Sequence, residues 1–485
     1  MKPTLCFIFL LAFVVIDRAA SQQPSPAFVS DFTLKKDDIT VLMAVDAELA
    51  DGLKPWRSGG HGKFFITGWK STQQKLKWNV VNKEMASYNV AILVQSQDDC
   101  VIIVEVTAAG RTIRGNLPVN PRRWQRVTLD DLILLPEGES EMSVRLVPAD
   151  GSTDFNADVH AVELVLPLIR EDLDKKASDL RADAEWFRQA RYGVMVHWTS
   201  QSMPLKGEPK SYEEAVNEFD VELFANQMQA TGAGFVVFTT SHAYQYFPAP
   251  LKSLDRILPG RTTRRDLVAE LAEELKKQNM KLFLYYHIGA HDDSKWLNAT
   301  RFWDTDTSVL FNNWQSIVRE VGERYGETLA GWWFDDGITN YYYRSAPWEA
   351  LARAAKAGNP RRLISFNAWA LNNPTQFHDF CTGEACENPA GIDGLLTPKA
   401  KGLYPSGTHA GLQASACLVA ESDWIHRRPN AAPARPKWNA TQLSELLRLF
   451  MANKNVPIFN LEVTQEGNLG AESIALFREV SRRLR

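Results

Sequence analysis

The sequence contains few cysteines and no excess of basic residues. Its 485 residues include five cysteines, and 54 lysines and arginines are balanced by 58 aspartates and glutamates, which gives a net charge of −4. A chain of this length can bury a large core without disulfide bonds. A weakly acidic chain has no positive field to attract phosphate backbones. We therefore expect no nucleic-acid partner.

Long apolar runs are also scarce. The most apolar run occupies residues 5–16, follows a basic start and precedes small residues at positions 19–21. It is shorter than the roughly 20 residues needed to cross a bilayer, and its flanks are typical of a secretory signal. We predict a cleaved signal peptide over residues 1–21, a secreted or periplasmic location, and no membrane attachment after cleavage.

Aromatic residues, by contrast, are abundant. The chain contains fifteen tryptophans and twelve tyrosines. Flat aromatic faces pack against the apolar C–H faces of sugar rings, while polar neighbours bind the hydroxyls. Most of these side chains are expected to be ordinary core residues, but the composition is compatible with a carbohydrate ligand.

The first third of the chain has the pattern of an all-β domain. Between about residues 31 and 167, short β-rich runs such as VAILVQS, CVIIVEVTA, MSVRLVP and AVELVLP are separated by Gly, Asn, Asp and Pro. No long helical period interrupts them, so we predict a β-sandwich over residues 22–170. Two roles remain open for it, a carbohydrate-binding module and a structural cap on the rest of the protein.

A charged helical stretch, EDLDKKASDLRADAEWFRQ, begins at residue 171 and predicts a helical linker over residues 171–190. After it, eight apolar β runs alternate with amphipathic helices. The runs occupy residues 192–198, 234–240, 281–288, 329–336, 362–369, 376–382, 412–419 and 456–463.

Near-continuous apolar strands joined by helices are typical of parallel strands that are buried on both faces. Eight of them predict an α/β fold, a (β/α)8 TIM barrel over residues 191–485. A doubly wound open sheet is the alternative. It usually has a glycine-rich phosphate turn after its first strand, and the sequence lacks one there.

Polar and aromatic residues are concentrated where these strands end. In a barrel, the active site is built at the carboxyl ends of the strands, so these residues are the candidates for a site. They are His197 and Trp198 on the first strand, His242 after the second, Tyr285 on the third, Asp335 on the fourth, and Glu384 and Glu387 after the sixth.

Two of these residues could form a pair of catalytic carboxyl groups. Cleavage of a glycosidic bond with retention needs one carboxylate as nucleophile and one carboxyl as acid, about 5 to 5.5 Å apart. Asp335 and Glu384 come from different strands and could meet at this distance. Trp333 alternates with Asp335 along its strand, so both should face the barrel axis. The alternative for an acid at a strand end is a helix N-cap.

Two histidines after the third strand are candidate metal ligands. His287 and His291 have a helical spacing and precede Asp292 and Asp293. They lie at a strand exit, however, where this spacing does not bring two side chains together, and the first strand has no His-x-His pair. We expect neither a metal nor another cofactor.

Several segments together are similar to the α-L-fucosidases of glycoside hydrolase family 29. They are WFRQARYGVMVHW, ATGAGFVVFTTSH, LKKQNMKLFLYY, GWWFDDG and NKNVPIFNLEVTQEGNLG, in this order on successive predicted strands. The resemblance covers about residues 186–485. It implies a retaining exo-glycosidase that hydrolyses terminal α-L-fucosyl residues of an oligosaccharide or glycoconjugate.

The resemblance also implies roles for individual residues. Asp335 matches the nucleophile of the family's Trp-Phe-Asp-Gly motif, although Asp336 leaves the register uncertain by one residue. Thr382-Gly383-Glu384 is similar to the Thr-Pro-Glu that carries the acid/base, which makes Glu384 the first choice and Glu387 the second. Substrate-binding roles are implied for His197, Trp198, His242, Tyr285, Trp333 and Glu387.

The chain departs from the family's pattern after the second and fifth strands. The family's Lys-His-His-acid segment is replaced by Ser-His-Ala-Tyr-Gln at residues 241–245, and the arginine that usually follows Asn367 is Ala368. Lost hydrogen-bonding anchors put the sugar specificity in question. Two alternatives follow, the same mechanism on another sugar and a carbohydrate-binding protein without turnover.

Overall fold

The structure is a computed structural model. It describes residues 31–58, 61–98, 100–117, 124–153, 155–288, 292–302, 304, 306–335, 346–367, 375–384 and 412–484. The predicted signal peptide lies outside these residues. Among the helices that the structure describes, none combines the length and the apolar character that a membrane crossing needs.

The amino-terminal part consists of β-strands, as predicted. They are β1 (Asp31–Thr33), β2 (Thr40–Met43), β3 (Glu48–Leu49), β4 (Lys54–Ser58), β5 (His61–Thr67), β6 (Lys75–Asn82), β7 (Ala86–Ser96), β8 (Ile102–Ala108), β9 (Arg111–Leu117), β10 (Gln125–Thr128), β11 (Ile133–Leu135), β12 (Gly138–Pro148) and β13 (Ala157–Val165). A 3-10 turn, Ala44–Asp46, follows β2.

These strands form two mostly antiparallel sheets. One has the order β1-β6-β12-β8-β9 with β3 beside β6, and the other has the order β10-β7-β13-β5-β4 with β11 and β2 at its sides. Buried and more exposed residues alternate along β6, β9 and β12, as expected for strands with one face on a core. The inward residues of both sheets form one hydrophobic cluster, separate from the clusters of the barrel.

Two helices join this domain to the barrel, where the sequence pattern predicted one continuous stretch. They are α1 (Pro167–Leu180) and α2 (Glu185–Gln189). The chain leaves helical geometry at Arg181, whose backbone is extended. The next amide, that of Ala182, donates a 2.6 Å hydrogen bond to the buried carboxylate of Asp379. This hydrogen bond holds the chain at the break between α1 and α2. After it, α2 turns toward the barrel.

Eight parallel strands form the second part, in agreement with the predicted barrel. They are β14 (Gly193–Val196), β15 (Phe235–Ser241), β16 (Lys281–His287), β17 (Leu329–Asp335), β18 (Leu363–Phe366), β19 (Phe380–Cys381), β20 (Gln413–Val419) and β21 (Val456–Leu461). Their order is β18-β17-β16-β15-β14-β21-β20-β19. A 2.9 Å hydrogen bond from the backbone amide of Asp379 to the carbonyl of Ile364 links the two edges.

Helices cover the outside of this barrel. They are α3 (Tyr212–Glu218), α4 (Val221–Thr231), α5 (Lys252–Ile257), α6 (Leu267–Lys277), α7 (Ser294–Ala299), α8 (Ser308–Tyr325), α9 (Trp348–Ala355), α10 (Ala440–Ala452) and α11 (Ala471–Arg483), with a 3-10 turn at Gly326–Thr328. Several begin at side-chain caps. Asp220, Asp266 and Asn439, for example, accept hydrogen bonds from the free amides of α4, α6 and α10.

The amino-terminal end of the barrel is filled by aromatic rings. Phe187 of α2 is fully buried and packs against Phe235, Phe283 and Phe380 at ring distances of 5.0, 5.9 and 4.7 Å. Trp186 packs edge-on against the same layer. Because this end is closed by side chains, the carboxyl end of the strands is left for a ligand.

Candidate active site

Two carboxylates meet at the carboxyl end of the barrel. Asp335 is the last residue of β17, and Glu384 follows β19 and pairs with Cys417 of β20 through a β-bridge. Each is 9% exposed. The Nδ2 atom of the buried Asn367, which follows β18, lies 2.8 Å from Oδ1 of Asp335 and 2.8 Å from Oε1 of Glu384. One amide group thus donates a hydrogen to each acid.

The second oxygen of Asp335 is also held. Oδ2 accepts a hydrogen bond from the phenol of Tyr285, which points inward from the neighbouring strand β16. Strand register explains the contact, because His287 is paired with Asp335 and Tyr285 lies two residues before it on the same face. Both oxygens of Asp335 therefore have donors, which fixes the orientation of the carboxylate.

His197 lies on the opposite side of this group, directly after β14. Its Nδ1 is 2.7 Å from Oδ1 of Asn460, and the amide nitrogen of Asn460 donates to the carbonyl of Trp424 at 3.0 Å. Because Asn460 presents its oxygen, Nδ1 of His197 is the donor and Nε2 keeps its lone pair. Burial lowers the pKa of His197 to about 4. The ring is thus a neutral imidazole with an acceptor nitrogen at neutral pH.

Aromatic and imidazole rings form the wall around these acids. His197 packs edge-on against Tyr285, Trp424 and His242, at 4.7, 5.1 and 5.5 Å between ring centres. His242 in turn lies 5.2 Å from His287. These contacts bring His197, His242 and Tyr285, predicted from the first three strands, into one group.

The two predicted tryptophans occupy different layers. Trp333 faces the barrel interior below Asp335 and packs edge-on against Tyr285 at 6.1 Å. Trp198 points the other way, because neighbouring residues alternate in direction and His197 points inward. It packs against Phe219 and Phe238 between strands and helices, and its indole donates to the carbonyl of Gln465. The structure thus separates Trp198 from the candidate site, and its position is that of a core residue.

A family model described as alpha-L-fucosidase matches residues 210–480, which is more than half of the chain. The chain belongs to the alpha-L-fucosidase family. The matched region contains seven of the eight barrel strands and both carboxylates, and it excludes the amino-terminal sheets. The predicted family resemblance and the predicted barrel are confirmed.

Curated members of the family match part of the chain. The tissue alpha-L-fucosidase of Macaca fascicularis is 29% identical over 160 residues, covering 26% of this chain and 34% of that protein. The human tissue alpha-L-fucosidase is 28% identical over 166 residues, covering 28% of this chain and 35% of that protein. The match spans about a third of the length of these relatives.

Two bacterial structures are also similar. An alpha-L-fucosidase from Lactobacillus casei, solved with its alpha-L-fucose product, is 19% identical with a TM-score of 0.44, and the match covers 61% of this chain and 96% of that one. Alpha-L-fucosidase isoenzyme 1 from Paenibacillus thiaminolyticus is 19% identical with a TM-score of 0.46, covering 64% and 76%.

In this member of the alpha-L-fucosidase family, the segment after β15 is used mainly for internal contacts. Gln245 is buried and its amide donates to the carbonyl of His287 at 2.7 Å. The ring of Tyr246 lies against Tyr212 and under the guanidinium of Arg261. Residues that replace the usual polar segment therefore support the barrel wall, while the ring of His242 packs against the rings of His197 and His287.

Asn367 and Asn460 are site residues that the sequence motifs did not single out. Asn367 follows β18, and Asn460 points inward from β21. Both lie at rim positions, so the position along each strand was the available signal. The motifs gave no reason to choose a neutral amide as a site residue over the nearby acids and aromatic residues.

Three predicted positions lie outside the described residues. They are Glu387, the second choice for the acid/base, Asp336, the alternative nucleophile, and His291, the second histidine of the metal hypothesis. Among the described residues, Glu384 contacts Asn367 and Asp335 points inward to Tyr285. The choice of Glu384 over Glu387 and of Asp335 over Asp336 stays a prediction.

Proposed function

We propose that the chain is a secreted, retaining exo-α-L-fucosidase that removes terminal α-L-fucosyl residues from an oligosaccharide or glycoconjugate. The contact of one Asn367 nitrogen with both carboxylates carries this proposal. Each carboxylate oxygen is 2.8 Å from that nitrogen, so the two oxygens are at most twice this distance apart. Retaining glycosidases hold their carboxyl groups about 5 to 5.5 Å apart, and inverting ones about 6.5 to 9.5 Å. The short separation favours retention.

The positions of the acids support distinct roles. Asp335 would attack the anomeric carbon, because Tyr285 and Asn367 hold its two oxygens and orient it. Glu384 would give its proton to the departing oxygen and later take one from water. In this scheme Asn367 sets the distance between the two groups, and Tyr285 sets the direction of attack.

The surroundings of the acids support binding of a single sugar ring. Asp335 and Glu384 are each 9% exposed, which fits a recessed site better than an open groove. The neutral His197 offers its Nε2 lone pair as an acceptor for a hydroxyl group. A recess lined by rings suits the terminal residue of a chain, which is why we propose exo-action.

Secretion is proposed from the sequence of residues 1–21 alone. The basic start, the short apolar run and the small residues before Gln22 support it. Expression with the native amino terminus, followed by sequencing of the exported protein, tests this part. A mature chain beginning close to Gln22 is expected, and recovery of the intact chain inside the cell would refute it.

The enzymatic proposal is tested with a panel of aryl glycosides led by an α-L-fucoside. The wild-type chain should release fucose first as its α-anomer, observable by NMR before mutarotation. Asp335→Ala should lower turnover by several orders of magnitude, and azide should restore part of it by entering the space left by the carboxylate. Release of the β-anomer would exclude retention, and unchanged turnover in Asp335→Ala would exclude Asp335 as nucleophile.

A second candidate is the same mechanism on a different sugar. The internal contacts of Gln245 and Tyr246 favour this candidate. These two residues replace polar side chains that the family usually offers after the second strand, and they contact the barrel wall instead of pointing at a sugar. Turnover of another aryl glycoside, without fucoside turnover and still dependent on Asp335, would select this candidate. Glycan binding without any hydrolysis, unaffected by Asp335→Asn, would instead indicate a binding protein.

A further inference from the structure

A cleft lies between the helix α1 and the amino-terminal sheet that contains β7 and β10. Its volume is about 410 Å³. One wall comes from β7 and β10, the second from α1, and the third from Gln376, which precedes β19. Its charged lining residues are Arg126, Arg170, Arg181 and Asp174. None of its lining residues belongs to the candidate active site, so the inference below is independent of the hydrolytic proposal.

Three of the residues that line this cleft carry a buried hydrogen-bond donor without an acceptor among the described residues. The donors are Nη1 of Arg170, Nε of Arg181 and Nε2 of Gln376. Gln376 is 3% exposed. Buried donors are nearly always paired, because leaving one without a partner is costly. Three such N–H groups from two different parts of the chain therefore indicate a missing acceptor.

The charges of the cleft point to the same kind of ligand. The Glu163 carboxylate accepts a hydrogen bond from Arg126, and Arg170 approaches it at 3.6 Å. Both arginines therefore share one acid. Asp174 is the other acid beside three guanidinium groups, so the cleft keeps a net positive charge. Burial lowers the pKa of Arg126, because a buried guanidinium loses the hydration that stabilises its charge.

We propose that this cleft binds an oxyanion, namely a sulfate, phosphate or carboxylate group. An oxyanion has only acceptor oxygens, so it can take hydrogen bonds from arginine and glutamine donors on the residues that line the cleft. Arginine suits this role because its planar fork matches the geometry of such groups. The volume falls within the range of small-molecule sites, so the group can be a free anion or a substituent of a larger molecule such as a saccharide.

Binding is tested by titration calorimetry of the full mature chain with sodium sulfate and sodium phosphate, against sodium chloride at equal ionic strength. Saturable binding of an oxyanion is expected, with no saturable binding of chloride. Arg181→Gln should weaken it roughly tenfold or more, the loss expected for a charge-assisted hydrogen bond. Arg114→Gln is the matched control, because Arg114 lies on a different sheet, 64% exposed beside Glu105, and should bind as wild type.

A variant that should bind the oxyanion more tightly distinguishes loss of the site from general loss of structure. Asp174→Asn removes a negative charge from the cleft and should strengthen oxyanion binding several-fold, without lowering the melting temperature. A gain here and a loss in Arg181→Gln cannot both come from unfolding. Equal affinities in wild type, Arg181→Gln and Asp174→Asn would overturn the proposal.

A last comparison identifies the source of the group. A sulfated oligosaccharide and its desulfated form are titrated beside the inorganic anions. Binding of inorganic sulfate supports a site for a free anion. Binding of only the sulfated saccharide, lost in Arg181→Gln, supports a site for an anionic substituent. If neither binds, the three donors are hydrated by solvent and the proposal fails.

Discussion

The amide nitrogen of Asn367 lies 2.8 Å from Oε1 of Glu384, at the same distance as from Oδ1 of Asp335. A neutral donor between two acids offsets the repulsion between them and keeps them close. Asn367→Asp should abolish this arrangement, because it removes both hydrogens and adds a third negative charge. We expect kcat on an aryl glycoside substrate of the wild-type enzyme to fall by at least about 100-fold.

The control for this variant is a buried amide elsewhere. Asn453 follows α10, is 6% exposed, and donates to the carbonyl of Leu449 at 2.9 Å. Asn453→Asp should lower the melting temperature without lowering kcat. If Asn367→Asp lost no more activity than Asn453→Asp, Asn367 would not position the acids.

Tyr285 and Tyr286 provide a matched pair of buried phenols. Tyr285→Phe removes the donor to Asp335 and should lower kcat about 10- to 100-fold with little change in KM, since the loss affects the nucleophile and not the bound sugar. Tyr286 points outward, and its hydroxyl has no hydrogen-bond partner among the residues that the structure describes.

Tyr286→Phe should therefore retain full activity and be as stable as the wild type or more stable, because it removes a buried polar atom without a partner. Steady-state kinetics and thermal melting of both variants check this prediction. Equal losses of kcat in the two would show that the phenol of Tyr285 acts only through packing.

The choice between Glu384 and Glu387 is tested through the leaving group. Without the acid, departure depends on the leaving group alone, so Glu384→Ala should slow substrates with poor leaving groups far more than substrates with activated ones. Glu387→Ala should slow both classes equally or neither. The reverse pattern would reassign the acid/base to Glu387.

A pH dependence of stability follows from His197. Its folded pKa of about 4 lies below its ordinary value of 6.5, so the folded state binds fewer protons than the unfolded state between these values. The contribution of the neutral His197 to the free energy of unfolding is fully present above pH 6.5. It is lost as pH falls toward 4, in total on the order of 3 kcal/mol. Thermal melting of wild type and His197→Gln from pH 7 to 4 should show a smaller decrease in the variant.

Glu421 should give the opposite pH dependence of stability. Burial raises the pKa of Glu421 to about 7, so its stabilising contribution is complete below pH 4.5 and is lost as pH rises through 7. Its carboxyl accepts hydrogen bonds from Ser473 and from the backbone of Glu462, which the amide oxygen of a glutamine can partly replace. Between pH 6 and 8.5 the wild type should lose more stability than Glu421→Gln, and parallel melting curves would contradict this.

The barrel was predictable because its signal is local. Each strand is a short apolar run, and the eight runs of the sequence correspond to β14–β21 in order. The break between α1 and α2 was not predictable, because it depends on the carboxylate of Asp379, almost 200 residues away. Alternation along the strand predicted the inward orientation of Asp335 and Trp333. The same rule applies to Trp198 beside the inward His197, but the family resemblance implied a substrate-binding role for Trp198 instead.

The family, the barrel and the acid at the end of the fourth strand could be predicted from the chain alone, since these depend on patterns and motifs within single segments. Three features appear only in the folded molecule: Asn367 lies between Asp335 and Glu384, Asn460 sets the tautomer of His197, and three residues that line the cleft beside α1 carry buried donors without an acceptor in the described part of the chain. Hydrogen bonds between distant strands and helices depend on side-chain direction and distance, and the spacing of residues along the chain encodes neither.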